Sequence, residues 1–383
     1  MQLRIEFSFI ICFLFIGILF AQDEKPIEID FLLNYYDQDG DHSAVTGGIG
    51  TEELNNIGTK IAIYIPQGLN KSLNIYLNAD SYTSASSDNI DLVRSGASAH
   101  DIHAYGSIEY SVDRPESQNA YSLTGGLSTE FDYTSFSFGG SWSIYSENRN
   151  SEFTISTINF IDFIIPIYPI ELRYRGDLLQ DDKRQTYSLS LNFNQVLNKK
   201  LQMSLMTDLV YQTGLLSTPF NRVYFKDLVN LDVERLPNHR FKFPIGFRLN
   251  YFFSDLIITR IHYRYYHDTF GLSAHSISLE TPFRLSQTWA IIPFVRYHDQ
   301  HKADYFAPYK EHLSSSEFYT SDYDLSSFTS IMSGVGLRYY PLQGVINLFG
   351  GVMKRIDLRA GFYNRSDGLT AFNITGGVSL FFP

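Results

Sequence analysis

The sequence predicts an all-β protein: a transmembrane antiparallel β-barrel of about sixteen strands, with short periplasmic turns and long extracellular loops. Three observations carry that expectation. Apolar and polar residues alternate over strand-length segments, long and short connections alternate along the chain, and the last strand ends in aromatic residues.

The alternation is clearest over 240–266. Phe241, Phe243, Ile245, Phe247, Leu249 and Tyr251 form one series, with Arg240, Lys242, Gly246, Arg248 and Asn250 between them. After Phe252-Phe253-Ser254-Asp255 the pattern resumes: Ile257, Thr259, Ile261, Tyr263 and Tyr265 on one face, Arg260, His262, Arg264 and Tyr266 on the other. A period of two gives a strand with one apolar and one polar face, and arms of about 9–11 residues cross a bilayer when tilted. The same reading starts at 27–36, where Ile27, Ile29, Phe31, Leu33 and Tyr35 alternate with Glu28, Asp30 and Asn34. It continues at 58–65, 71–80, 101–111, 119–129, 133–145, 152–162, 185–197 and 200–213. Strands are then predicted at 239–251, 255–267, 273–284, 287–299, 329–340, 355–365 and 370–382; the stretch 153–175, with Pro166 and Pro169, leaves room for a register error or an extra strand.

A soluble sandwich also has one-sided strands, and the connections separate the two cases. Pro66-Gln67-Gly68, Asn198-Lys199-Lys200, Ser254-Asp255 and Leu285-Ser286 are tight, whereas 37–57, 81–100, 163–184, 214–238 and 300–328 are long. That sorting belongs to a barrel facing the periplasm at one rim and the outside at the other. In the last strand Phe372, Ile374, Val378, Leu380 and Phe382 alternate with Asn373, Thr375, Ser379 and Phe381. Such an aromatic ending is read by the outer-membrane insertion machinery, although Pro383 stands where a terminal Phe is usual.

Composition agrees. The chain has 383 residues, a mean hydropathy of −0.13 and 16% aromatic residues, as expected when strands average out their two faces. Residues 1–21 read as a signal peptide, with Arg4, an apolar run from Phe7 to Phe20, and Ala21; 22–383 is the barrel. The single cysteine, Cys12, lies inside that run, so the mature chain has no disulfide. A net charge of −11 argues against a nucleic-acid partner. The expected surroundings are membrane lipid and lipopolysaccharide of the bacterial outer membrane.

Several segments also resemble one family. They include Leu216-Ser217-Thr218-Pro219-Phe220 with Arg222-Val223-Tyr224-Phe225, Glu234-Arg235-Leu236-Pro237, Tyr263-Arg264-Tyr265-Tyr266 and 303–309. Tyr319-Thr320-Ser321-Asp322-Tyr323-Asp324-Leu325 and Arg365-Ser366-Asp367-Gly368-Leu369 extend the likeness. It is to the bacterial domain-of-unknown-function family numbered 3570, over essentially the whole mature chain and most closely from residue 185 onward. The resemblance implies a secreted outer-membrane barrel and carries no settled activity.

The candidate functional residues fall into two groups. By the face assignment, Arg248, Arg260, Arg264, Arg296, Arg338, Arg359 and Arg365 line the lumen opposite Glu280 and Asp357. Such a ladder sets anion preference, or pairs with carboxylates such as Asp304, Asp322 and Asp324 and holds the loops down. The second group is Asp80 to Ser86 and Asp91 to Ser98, similar to the signal by which periplasmic flavin transferases attach FMN to a hydroxyl. Ser86 or Ser98 would carry the flavin. The first copy has Ser84 where Gly is usual, and the second spaces Asp91 one residue too far from Ser95. The family resemblance implies a nearby flavin transferase and a thioredoxin-like protein.

Other signals are weaker. Asp37 to Asp41 opens like a calcium loop but has His42 and Gly48 where Gly and Glu belong. His100 with His103, and His298 with His301, are three apart and so face opposite sides of a strand. His275-Ser276 likewise point apart, and no triad can be assembled. The expectation is a channel or transport-type barrel without catalytic residues. A redox-linked barrel carrying FMN and a structural component of an envelope complex are the alternatives.

Overall fold

The computed structural model describes residues 26–83, 100–176, 178–179, 182–348 and 350–383. The predicted signal peptide lies outside the described residues. The first nine strands are β1 (Ile27–Asp39), β2 (Leu54–Pro66), β3 (Lys71–Thr83), β4 (His100–Arg114), β5 (Asn119–Thr129), β6 (Tyr133–Tyr145), β7 (Ser151–Ile164), β8 (Asp182–Asn198) and β9 (Leu201–Gly214). Then come β10 (His239–Lys242 and Ile245–Ser254), β11 (Ile257–His267), β12 (Ser273–Glu280 and Phe283–Arg284), β13 (Trp289–His301), β14 (Phe328–Tyr339), β15 (Gly351–Arg365) and β16 (Thr370–Phe382). Each pairs antiparallel with its neighbours in sequence. β1 pairs with β16 from Ile27↔Phe382 to Asp39↔Thr370, which closes a sixteen-stranded barrel and leaves no open edge.

The elements follow from the alternation. In β10 the ladder is interrupted at Pro244, which has no N–H to donate, yet the register against β9 runs on from Lys242↔Val210 to Ile245↔Thr207. β7 is one uninterrupted strand, and no further strand occurs between it and β8 among the described residues. Its pattern is blurred in sequence because Ile158 and Phe160 share a face with Asp162, Ser156 and Thr154.

The apolar series is exposed all round the wall, as at Phe31, Leu123, Phe136, Leu205, Ile331 and Leu358. On a closed barrel this is the face that hydrocarbon covers. Aromatic residues band it: Tyr187, Tyr211 and Phe241 sit in one cross-strand row near the long-loop rim. Trp289, its ring 4.5 Å from that of Tyr339, stands near the other.

The buried apolar clusters lie elsewhere. Val223, Phe225, Phe270, Leu272, Ala303 and Tyr319 are buried, and all belong to connections at one rim. The connections 40–53, 165–181, 215–238 and 302–327 emerge there, together with the short 268–272 and 366–369. The opposite rim carries tight turns at 67–70, 199–200 and 255–256, but also the longer segment 340–350. The molecule thus has an apolar skin on the wall and its packed core in the loops.

Candidate functional site

The loops form a cap. Arg222 is almost fully buried and donates from Nε and Nη2 to Glu171 (2.6 and 3.2 Å) and from Nη1 to the Val45 carbonyl (2.6 Å). One guanidinium therefore ties 40–53, 165–181 and 215–238 together. A short ribbon, Arg222–Val223 against Asp232–Val233, holds its position. Gly47, at φ +85, lies where a Cβ would be 2.6 Å from the Tyr224 ring, so the close approach of loop 40–53 requires glycine.

Strand ends anchor the cap. Asp268, with its side chain fully buried, accepts from Arg240 Nε (2.9 Å), Arg240 Nη2, Tyr266 Oη (2.6 Å) and the Phe270 amide (2.8 Å). Phe270 then packs with Leu272 and Ala303 against Leu216, Leu236, Tyr305 and Leu325, joining loops 215–238 and 302–327. Arg365 at the end of β15 donates to Asp324 (2.6 Å) and Asp367 (2.7 Å) and lies over the Phe328 ring. Gln300 on β13 donates to the carbonyls of Asp324 and Ser326, drawing loop 302–327 against the strand ends.

Carboxyls accumulate in this cap. Glu234 is buried and accepts only from neutral donors: the Thr218 amide, Asn221 Nδ2 and Thr320 Oγ1. Burial, reinforced by Asp322, pushes it up to about 7. Burial and then Asp324 push Glu52 to about 7 and Asp322 to about 6.

Below the cap lies the arginine wall. Glu280 on β12 receives Arg260 from β11 and Arg359 from β15, both at 2.9 Å. Arg359 reaches it by lying over Phe294, 3.7 Å from the ring centre. Phe294 is seated by Gly334 and Gly361: the row runs Glu280, Phe294, Gly334, Gly361 and Asn373. A Cβ on Gly334 would be 2.4 Å from Phe294 Cζ. Arg338 pairs with Asp357 (2.6 Å), and Arg355 with Asp30 (3.0 Å) and Asp357 (3.1 Å). Arg248, Arg264 and Arg296 have no carboxylate partner among the described residues. All three are exposed. A cavity of about 150 Å³ is lined by Arg296, His298, Phe328, Ser330, Met332 and Tyr363.

Several singled-out residues take other places. Ser86 and Ser98 lie outside the described residues. Asp37 and Asp39 are inside β1, so their segment is extended and cannot wrap an ion as a loop would. His275 meets the hydroxyl of Tyr263 at 2.8 Å, while Ser276 meets His298 Nδ1 at 2.7 Å. That serine–histidine pair sits between Arg264 and Arg296 without an orienting carboxylate among the described residues. His103 contacts Ser128 at 2.6 Å. Sequence reasoning missed Arg355, which follows a bulge between Met353 and Arg355 and shares the face of Asp357 and Arg359 by ordinary alternation. It also missed Asp268, the first residue after β11, although Arg240 stood in the alternating series.

A family model described as "Protein of unknown function (DUF3570)" matches residues 70–367. No curated protein matches. Among solved structures the chain is similar to a "bacterial polysaccharide outer membrane secretin", with TM-score 0.51 and 8% identity over 94% of this chain and 100% of that one. It is also similar to the siderophore receptor PirA from Pseudomonas aeruginosa, with TM-score 0.44 and 12% identity over 93% of this chain; it spans 62% of that receptor. The outer-membrane protein OpdK from the same organism gives TM-score 0.41 and 9% identity over 93% of this chain and 98% of that one.

Proposed function

Since the chain belongs to the DUF3570 family of unknown function, we propose from its architecture that it is an outer-membrane channel, with the cap outside, that passes small anionic solutes. One observation carries this reading. Arg248, Arg264 and Arg296 lie on the face opposite the apolar skin and are nevertheless exposed. In a closed barrel, exposure on that face is exposure to an interior water-filled space, and sixteen strands leave room for one. Guanidinium groups bordering such a space favour anions over cations.

The remaining arginines of this face are paired, Arg260 and Arg359 sharing Glu280 and Arg338, Arg355 and Arg365 meeting Asp357, Asp30, Asp324 and Asp367, so the preference is assigned to the unpaired three. Reconstitution in planar bilayers under a potassium chloride gradient tests the reading. The expected reversal potential is that of an anion-preferring pore. Replacing Arg248, Arg264 and Arg296 together by Gln moves it toward the unselective value. A folded barrel that passes no current, or prefers cations, would overturn the proposal.

A further inference from the structure

We infer that Arg248, Arg264 and Arg296, with Ser278 and His262, form a binding site for the dianionic head of a small phosphorylated solute. The inference rests on the channel reading and adds a substrate class to it. Arg248 on β10 pairs in register with His262 on β11, His262 with Ser278 on β12, and Ser278 with Arg296 on β13. The four residues therefore stand side by side in one row of the wall. The two arginines at its ends are three strand spacings apart, about 14–15 Å between backbones, a gap that two extended arginine side chains close between them. Arg264 is two residues along β11 from His262, on the same face.

The charge balance selects the ligand. The nearest lumenal carboxylate along β12, Glu280, is already held by Arg260 and Arg359. Three guanidinium charges thus face water without a carboxylate in ion-pair contact among the described residues. A monoanion leaves most of that charge uncompensated. A phosphate monoester carries about −1.5 to −2 and three acceptor oxygens, which guanidinium forks engage in pairs. His262 Nε2 is buried with no hydrogen-bond partner, leaving a polar atom of the same row unspent. The cavity beside Arg296 and His298 extends the site toward the aromatic rings of Phe328 and Tyr363, where the body of the solute fits.

The test uses the full barrel in planar bilayers carrying chloride current, with inorganic phosphate, glycerol 3-phosphate or acetate added from the cap side. The expected result is block by both phosphates at concentrations at least about tenfold below acetate. Each of Arg248→Gln, Arg264→Gln and Arg296→Gln should weaken that block about tenfold, the scale of one lost charge-assisted hydrogen bond. Arg338→Gln, which removes an arginine already paired with Asp357, should leave it within about twofold. Anion-selective current that phosphate blocks no better than acetate would overturn the site and leave the channel reading intact. If no current flows, the channel reading fails, and calorimetric titration of inorganic phosphate into the detergent-solubilised barrel decides the site. Saturable binding that the triple variant abolishes supports it; no saturable binding, with the barrel shown folded by its heat-dependent gel migration, overturns it.

Discussion

The two arcs of the barrel wall solve the same packing problem with different chemistry. Between β4 and β9 small hydroxyls recur at the inward positions, and several bond to one another and to backbone. Ser122 meets Ser141 at 2.7 Å, Ser143 meets Thr154 at 2.7 Å, and Ser188 donates to the Ile158 carbonyl at 2.6 Å. From β10 to β16 arginines, aromatics and glycines join them at the inward positions, and the arginines' bonds reach away from the wall, to other strands and into the cap. A short hydroxyl is satisfied beside its own strand. A guanidinium needs a partner several ångströms out, and where the wall supplies none it faces the lumen. The unpaired arginines therefore concentrate on one arc, whereas the charged groups of the other are carboxylates held close to the wall: Glu109 by Asn74 and Ser111, Asp208 by Ser190, and Asp162 by Ser135 and Arg184.

Cutting the tie between the arginine arc and the cap should have the largest effect. Arg365→Ala removes a buried cation and leaves Asp324 and Asp367 unpaired beside it. Asp367 is left nearly buried while Asp324 is mostly exposed to solvent, so the cost is expected toward the lower end of the range of about 3–5 kcal/mol for breaking a buried pair from one side. Loop 302–327 is expected to come free, which proteinase K cleavage in that loop and a rise in single-channel conductance would register. Cleavage as slow as in the parent protein would show that the hydrophobic cluster around Phe270 holds the cap alone.

Next in size is a dependence on pH. Glu234 and Glu52 are raised to about 7 in the closed cap, from 4.5 when solvated, and Asp322 to about 6 from 3.8, burial being the main cause for each. The closed cap therefore binds protons more tightly than an opened one. Its stability is fully present below the solvated values, and is lost as pH rises through about 6 to 7. Loop cleavage should be slower at about pH 5 than at about pH 8, and Glu234→Gln should reduce that difference by removing the charge that burial penalises. A cap that loosens on acidification instead would contradict the assignment.

The arc with strong contrast was legible in the sequence, whereas the cap was not. Around Arg248, Arg260 and Arg264 the alternation sets charge against Phe, Leu and Tyr, so strands, faces and partners such as Glu280 could be read from a period of two. Near Ile158 and Phe160 both faces are apolar, and the period fades although the strand is regular. Arg222 was visible only as part of a familiar segment. Its partners, Glu171 and Val45, are 51 and 177 residues away, and a loop has no period from which to find them. Which arginines stay unpaired was equally hidden. It depends on Arg359 crossing to Glu280 over Phe294, a contact made by strands 79 residues apart.

That crossing supplies the third test. Gly334→Ala places a methyl 2.2 Å from the Ala360 carbonyl and 2.4 Å from Phe294 Cζ, so the ring must leave its seat and Arg359 loses its support. Overpacking of this kind costs about 1–3 kcal/mol, measurable as a lower urea midpoint in detergent. Loss of the Arg359–Glu280 bond should also free a fourth cation and make the pore more anion-selective.

The smallest effect belongs to the hydroxyl-bearing arc. Ser122→Ala removes one member of the Ser122–Ser141 pair and leaves a single half-buried hydroxyl that lumenal water can reach. The expected cost is about 0.5–1.5 kcal/mol, and the reversal potential should not move, because no charge changes and no arginine depends on that bond. Arg296→Gln is the matched substitution on the other arc. It breaks no ion pair, so it should cost little in stability while shifting the reversal potential measurably. If Ser122→Ala moves the potential as far as Arg296→Gln does, the solute path is lined by both arcs equally and the division of the wall is wrong.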